Sequence, residues 1–257
     1  MCFDPRTAGR PLRTAVGAVG VAVSAMRTSG TARRSYPLYP RHAVRVIPFR
    51  VPPFDNGTYI LVDERRDAVV IDPSMAEREI MRALRDEGLH LLAILNTHGH
   101  PDHVYGNAAV KEATRARLAI HRLDAYRLEL AARPGASALP PAPLAAADDL
   151  IDEGPLGYLA DVRLEALHTP GHTEGSTSFH LPSEGILFSG DVLFAGAVGR
   201  VDLPGSDADQ MEASLRRLAA LPPGTRVYPG HRAPTTIAEE LPWLRDFRFP
   251  ERREALR

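Results

Sequence analysis

Three imidazoles and a carboxylate fall within six positions of this chain, His98-Gly99-His100-Pro101-Asp102-His103, a spacing that points to a metal site. Neutral imidazole and carboxylate are ligands for zinc, iron(II) and manganese. His98 and His100 are two residues apart, so an extended backbone aims both rings to one side. Pro101 suits the first position of a helix, and a helical turn there folds Asp102 and His103 back beside the two rings. One loop therefore offers two ligand pairs. A single tetrahedral zinc needs only three protein ligands and a water, whereas two pairs completed from elsewhere suit two ions about 3.5–4 Å apart.

Three further candidates lie downstream: His172 in Thr169-Pro170-Gly171-His172, Asp191 in Ser189-Gly190-Asp191, and His231 in Pro229-Gly230-His231. A histidine beside Pro-Gly is more often a turn or core residue than a ligand. These three are singled out because each follows a short β-rich run, as the first motif does. A carboxylate has two oxygens, so Asp191 can bridge two ions while His172 joins His98 and His100 and His231 joins Asp102 and His103. The remaining histidines, His42, His90, His121, His168 and His180, lack this context and are assigned to surface or core.

The elements that must position these residues are legible as hydrophobic pattern. Residues 89–96 form an apolar run that reads as a buried strand ending at the motif. Before it, residues 44–49, 58–62 and 68–72 read as a meander of strands with a turn at Asn56-Gly57, and residues 76–87 as an amphipathic helix closed by Gly88. A helix is expected from the motif to about Arg115, then a strand at 118–121 and a helix to about Ala132. Residues 133–155, rich in proline, read as a loop or lid over the site mouth. The second half repeats the plan, with strands at 162–167, 176–181, 185–189 and 226–228 and a helix at 209–221.

Bulk properties narrow the class. The 257 residues are 44% hydrophobic and 25% charged, as expected of a globular chain with one sizeable core. A formal net charge of -1 gives no electrostatic case for nucleic acid or an anionic membrane as partner. The lone Cys2 excludes an intrachain disulfide and a thiolate cage, and fits a reducing, cytoplasmic setting. Residues 1–43 carry Arg6, Arg10, Arg13, Arg27, Arg33, Arg34 and Arg41 against one acid, Asp4. They read as a disordered tail, with an organelle-targeting segment as the alternative, which leaves 44–257 as the catalytic domain.

Taken together, the first motif, Thr169-Pro170-Gly171-His172 with Thr173-Glu174-Gly175-Ser176, Ser189-Gly190-Asp191 with Gly199-Arg200, and Pro229-Gly230-His231 resemble the ordered motifs of the metallo-β-lactamase superfamily. They are most similar to its glyoxalase II-like (hydroxyacylglutathione hydrolase-like) branch in a short bacterial form. The resemblance covers residues 44 to about 240. It implies an α/β fold, the four-layer αββα sandwich, with His98, His100, His172 and Asp191 on one metal and Asp102, His103, His231 and Asp191 on the other. The implied cofactor is two divalent ions, zinc first, with iron or manganese as alternatives. Asp72, in Ile71-Asp72-Pro73, matches a position that orients ligands from behind.

The implied activity is hydrolysis of a small-molecule thioester by a metal-bridged hydroxide, with Asp102 orienting the nucleophile as well as binding metal. β-Lactamases of the two-metal kind commonly place a Cys or another group where Asp191 stands, which disfavours antibiotic hydrolysis, and the neutral charge disfavours an RNase Z-like role. Persulfide dioxygenases carry similar motifs with one iron(II) and are the competing class; a noncatalytic metal-binding protein is the third. Tyr105-Gly106 stands where family thioesterases usually show Gly-Gly, and the helical domain carrying basic glutathione contacts is not matched. Substrate recognition is therefore expected from Arg200, Tyr105 and the 133–155 segment. The oligomeric state is left open.

Overall fold

Strands buried on both faces organise the molecule. In the computed structural model, which describes residues 44–135 and 137–249, alternate residues of one strand enter two different cores. In β2 (Asn56–Val62), Ile60 and Val62 pack outward beneath helices while Tyr59 and Leu61 pack inward; in β3 (Asp67–Ile71), Val70 and Val69 divide the same way. The period of two in side-chain direction makes one strand serve both layers. β1 (Arg45–Val51), β4 (His90–Leu95), β5 (Arg117–His121) and β6 (Asp149–Ile151) complete a six-stranded sheet in the order β1-β2-β3-β4-β5-β6.

Helices α1 (Glu77–Glu87), α2 (Pro101–Val104), α3 (Asn107–Thr114) and α4 (Ala125–Ala131) connect these strands, and Ile80, Val110 and Leu128 join the outer core of this sheet. α1 buries Ile80 and Leu84 and stops at Gly88, whose φ of 61° suits glycine at a helix end. The helix expected to run from the motif to Arg115 is instead two helices, α2 and α3, parted at Tyr105-Gly106. Gly106 passes too close to Pro73 and Ser74 for a side chain, and Asn107 and Asn96 exchange side-chain hydrogen bonds of 2.8 and 3.2 Å that pin α3 to the end of β4.

The second sheet is built from β7 (Gly154–Leu156), β8 (Leu164–His168), β9 (Thr177–Leu181), β10 (Ile186–Gly190), β13 (Arg226–Pro229) and β14 (Thr235–Thr236), in the order β14-β13-β10-β9-β8-β7. A small hairpin, β11 (Leu193–Phe194) with β12 (Ala197–Val198), follows β10. α5 (Ala208–Ala219) and α6 (Ile237–Leu244) cover the outer face through Met211, Leu215, Leu218 and Ile237. Between the sheets lie Leu61, Ile71, Leu95, Phe179 and Phe188, all essentially inaccessible. Each such side chain contributes roughly 1.5–3 kcal/mol by leaving water. The layers are helix, sheet, sheet, helix: the αββα sandwich.

Three local expectations need correcting. Asn56-Gly57 is not the turn between the first strands; both residues lie in β2, and the reversal occurs at Pro52–Asp55. Residues 133–155 are not one lid, because 149–151 and 154–156 are edge strands of the two sheets and only the part near 133–138 reaches the site mouth. Tyr105 packs against the outer core of the first sheet and does not line the cavity described below, so it does not narrow the mouth. The expected tail at residues 1–43, with Cys2 and His42, lies outside the described residues.

Candidate metal centre and cavity

β3 and β4 run parallel, as do β10 and β13, so the C-terminal ends of these four strands lie at one rim of the sandwich. Asp72 follows β3, the motif loop follows β4, Asp191 follows β10 and Gly230-His231 follows β13. His172 arrives on the loop after β8. That loop is braced by α5: Asp207 N–H donates to Gly171 O at 2.8 Å and Ser214 Oγ donates to Pro170 O at 2.7 Å. Gly171 has φ of 132°, and a Cβ there would lie 2.3 Å from the Met211 nitrogen, so the braced loop requires glycine.

The structure brings all seven sequence-predicted ligands together. Ligand atoms of His98, His100 and His172 lie within 4.8 Å of one another, and so do those of Asp102, His103 and His231. Asp191 faces both groups: one oxygen is 3.5 Å from His172 Nε2 and 3.3 Å from His231 Nε2, and the other is 3.4 Å from His103 Nε2. His100 Nδ1 and His172 Nε2 approach to 2.9 Å, and His103 Nε2 and His231 Nε2 to 3.3 Å.

The outer nitrogens explain why the inner ones converge. His172 Nδ1 donates to Arg200 O at 2.9 Å and His231 Nδ1 donates to Phe54 O at 2.9 Å, and a carbonyl can only accept. His103 Nδ1 lies 3.0 Å from Asp72 Oδ2, and His98 Nδ1 lies 3.1 Å from Thr97 Oγ1. In neutral rings held this way, the Nε2 atoms carry lone pairs directed at a common space. Two lone pairs cannot bond each other; a cation between them can accept both. His98 Nε2 and Asp191 Oδ1 are buried with no hydrogen-bond partner among the described residues. Such orphaned groups are costly to bury, and the donor set fits a divalent cation.

Electrostatics point the same way. Burial holds the His98 imidazole well below its usual range and His100 at about 3, each helped by neighbouring rings. Burial also opposes charge on His103 and His231, but Asp191 and Asp102 outweigh it and raise them to about 9 and about 11. Asp102 and Asp191 are driven well below the ordinary carboxylate range: His103, His231 and His172 outweigh the effect of burial. The two carboxylates thus draw positive charge, whether a proton on the rings or a cation between them, to the side of His103 and His231.

Asp72 lies close enough to His98 and His103 to share an ion with them, but its oxygens are occupied. They accept from Thr97 N–H at 2.8 Å and Thr97 Oγ at 2.6 Å and face His103 Nδ1, an orienting geometry. Arg200 lines the cavity, yet its guanidinium grips Asp202 through two bonds of 2.8 and 2.9 Å, and it is the Arg200 carbonyl that serves the centre. His121 and His168 stack on each other at 4.3 Å as a separate pair.

Two functional residues escaped the sequence reading. Asn56 Nδ2 donates to Asp102 Oδ2 at 3.0 Å, and Asn-Gly concealed this because it is a strong turn signal. Asp124, fully buried, accepts from Gly99 N–H, Gly175 N–H and Thr173 Oγ, each at 2.8 Å, and so ties the His98–His103 loop to the loop that carries His172. Arg127 lies 3.4 Å from it and also pairs with Glu174. Nothing local in Leu123-Asp124-Ala125 signals this role.

Close packing around Asp191 makes another expectation concrete. A Cβ on Gly230 would stand 2.2 Å from Asp191 Oδ1 and 2.9 Å from His103 Cε1. Gly230→Ala is expected to displace a ligand and to lower turnover by about a hundredfold or more while the protein still folds. Turnover and metal content of the purified variant check this; a variant with full activity and full metal content would refute it.

The centre forms the floor of a cavity of about 910 Å³. Its lining includes Phe54, Leu130, Pro134 and Leu203, together with Arg133 and Arg232. That size and mixed lining suit a small molecule.

A family model described as the metallo-beta-lactamase superfamily matches residues 52–231. The chain belongs to the metallo-β-lactamase superfamily. Among relatives within this superfamily, it is 36% identical to a hydroxyacylglutathione hydrolase of Mesorhizobium japonicum (strain LMG 29417 / CECT 9101 / MAFF 303099), over 69% of this chain and 62% of the relative. It is 33% identical to the probable metallo-hydrolase YqgX of Bacillus subtilis (strain 168), over 77% of this chain and 96% of that one. The chain thus spans less than two thirds of that hydroxyacylglutathione hydrolase but nearly all of the shorter relative.

Solved metallo-β-lactamase-fold structures agree. BLEG-1 B3 metallo-beta-lactamase superposes with a TM-score of 0.71 at 34% identity, covering 77% of this chain and 97% of that one. A di-iron-bound form of TTHA1623 gives 0.67 at 39% identity, covering 76% and 96%. ETHE1 from Myxococcus xanthus gives 0.62 at 28% identity, covering 78% and 84%. Among the described residues no helix is long and apolar enough to cross a membrane.

Proposed function

We propose that this metallo-hydrolase cleaves small-molecule thioesters and holds two divalent ions, His98, His100, His172 and Asp191 around one and Asp102, His103, His231 and Asp191 around the other. The observation that carries the reading is the position of Asp191, within 3.5 Å of imidazole nitrogens from both groups. The second group, Asp102, His103 and His231, converges as closely as the first and offers a seat for a second ion. The relatives named hydroxyacylglutathione hydrolase supply the thioester class.

When bound, the ions supply an acidified water and an electrophilic seat for the carbonyl oxygen. The chain supplies the rest. Asn56 holds Asp102, and Asp72 holds His103, so the ligand atoms are fixed before substrate arrives. Asp102 lines the cavity, where it orients the attacking water. Apolar walls at Leu130 and Leu203 exclude bulk water from the acyl group. A thiolate is a good leaving group and requires no strong acid from the protein.

An iron-dependent dioxygenase is the second reading, favoured by the same three-histidine group, which suffices for one ion; the di-iron-bound form of TTHA1623 bears on the choice of iron and not on the number of ions. Metal analysis paired with three assays separates them. The expected result is close to two ions per chain, thiol release from S-lactoylglutathione, no oxygen uptake on glutathione persulfide, and no opening of a β-lactam ring. One tightly held iron with oxygen uptake overturns the hydrolase; rapid β-lactam opening without thioester turnover moves it to another hydrolase class.

A further inference from the structure

Four arginines line the cavity, and the structure treats them differently. Arg127 is paired with Glu174, and Arg200 is held by Asp202. Arg133 and Arg232 have no carboxylate partner among the described residues. Arg133 is exposed and lies just after α4, on the side of the cavity formed by Leu130 and Pro134. Arg232 immediately follows His231 and is half-buried; it takes φ of 67°, a left-handed conformation uncommon for a non-glycine residue. Its Nη1 donates to Ala195 O at 3.3 Å, which steadies the guanidinium, and its other donors meet no acceptor among the described residues.

A guanidinium steadied by one carbonyl beside a ligand histidine is pre-organised for an anion. The acidic side chains that share the cavity do not fill this need: Asp102 and Asp191 face the histidines, and Asp55 lies 3.8 Å from Arg50. Besides the candidate metal centre and its apolar walls, the cavity is thus lined by two arginines that have no carboxylate partner among the described residues.

The geometry points to an anion subsite formed by Arg133 and Arg232 that binds the charged end of the substrate's thiol carrier. This deepens the thioester reading and rests on it for the word carrier; the subsite itself rests on the two arginines. The chemistry recognised is a carboxylate or phosphate group on a thiol small enough to share a cavity of about 910 Å³ with the acyl group. A peptide thiol offers carboxylates, and a nucleotide thiol offers phosphates.

Binding of unreactive thioethers tests this apart from catalysis. S-ethylglutathione, S-ethyl-coenzyme A and the uncharged S-ethyl-N-acetylcysteamine are titrated calorimetrically into the metal-loaded wild type, R133Q, R232Q, R232K and the R133Q/R232Q double variant. The expected result is that at least one charged thioether binds at least about tenfold more tightly than the neutral one, in line with one charge-assisted hydrogen bond. Each glutamine substitution should remove much of that preference, R232K should keep part of it, and the double variant should bind charged and neutral compounds alike. The carrier that shows the larger preference identifies the source of the anion. Equal affinities in the wild type, or a preference that survives in the double variant, overturn the subsite. If charge preference is seen but no thioester is hydrolysed, the subsite stands and the thioester reading fails.

Discussion

Asp191→Ala is expected to lose both metal ions and to lower turnover by at least about a thousandfold. The Asp191 carboxylate lies within 3.5 Å of imidazole nitrogens from both groups, so its removal takes a candidate ligand from each and leaves Asp102 and Asp72, both on the His103 side, to balance five imidazoles. A metal contributes several kcal/mol of transition-state stabilisation, and about 1.4 kcal/mol is a factor of ten. His231→Ala makes the contrast. It belongs to one group only and is expected to retain the ion at His98, His100 and His172 with partial loss of the second. Metal stoichiometry of the two variants, alongside their melting curves, provides the measurement. If Asp191→Ala keeps two ions, or if both variants lose metal equally while remaining folded, the bridging assignment fails.

The second large effect is expected at Asp124, which is not itself a candidate ligand but holds the loop between His98 and His100. Asp124→Ala leaves the Gly99 and Gly175 amides and the Thr173 hydroxyl without their acceptor in a buried place, and removes the counter-charge 3.4 Å from Arg127. Each unsatisfied buried donor costs about 1–3 kcal/mol, so a loss of roughly 3–5 kcal/mol of stability follows if the loops relax in part. The tie also sets the spacing between His98 and His100 on one loop and His172 on the other. Metal affinity at that group should therefore fall about 10- to 100-fold, with a smaller change at Asp102, His103 and His231. Asp124→Asn preserves shape but turns an NH2 group toward donors and should fall between the two. Denaturant unfolding of the metal-free protein and chelator competition on the loaded protein read the two effects separately. Unchanged stability together with unchanged affinity would show that the loops hold their spacing without Asp124.

The sequence was informative where chemistry and periodicity are local. The six residues from His98 to His103 carry their spacing in the backbone: an extended pair of histidines, a proline that starts a helix, then a carboxylate and a histidine in its first turn. Strands and amphipathic helices were legible because burial on one or two faces imposes a period on the residues themselves. Errors arose where a local signal was overruled. Asn56-Gly57 has turn chemistry, yet Asn56 pairs with Val51 in the sheet and bridges to His231, where its amide is needed beside Asp102. Tyr105 follows the motif by two residues, but the helical turn carries it to the far side of the sheet, away from the cavity.

By itself, then, the sequence determined the types of the candidate ligands, the order of the motifs and the layered fold they resemble. Only the tertiary structure decided which atoms face which. The carbonyls of Phe54 and Arg200 orient His231 and His172, and a carbonyl leaves no trace in residue identity because every residue has one. Asp124 meets Gly99 and Gly175 across 25 and 51 residues, and Arg133 and Arg232 reach one cavity from different layers of the sandwich. Partnerships of that length depend on how strands are ordered in a sheet and how two sheets are stacked, and no spacing along a single chain encodes them.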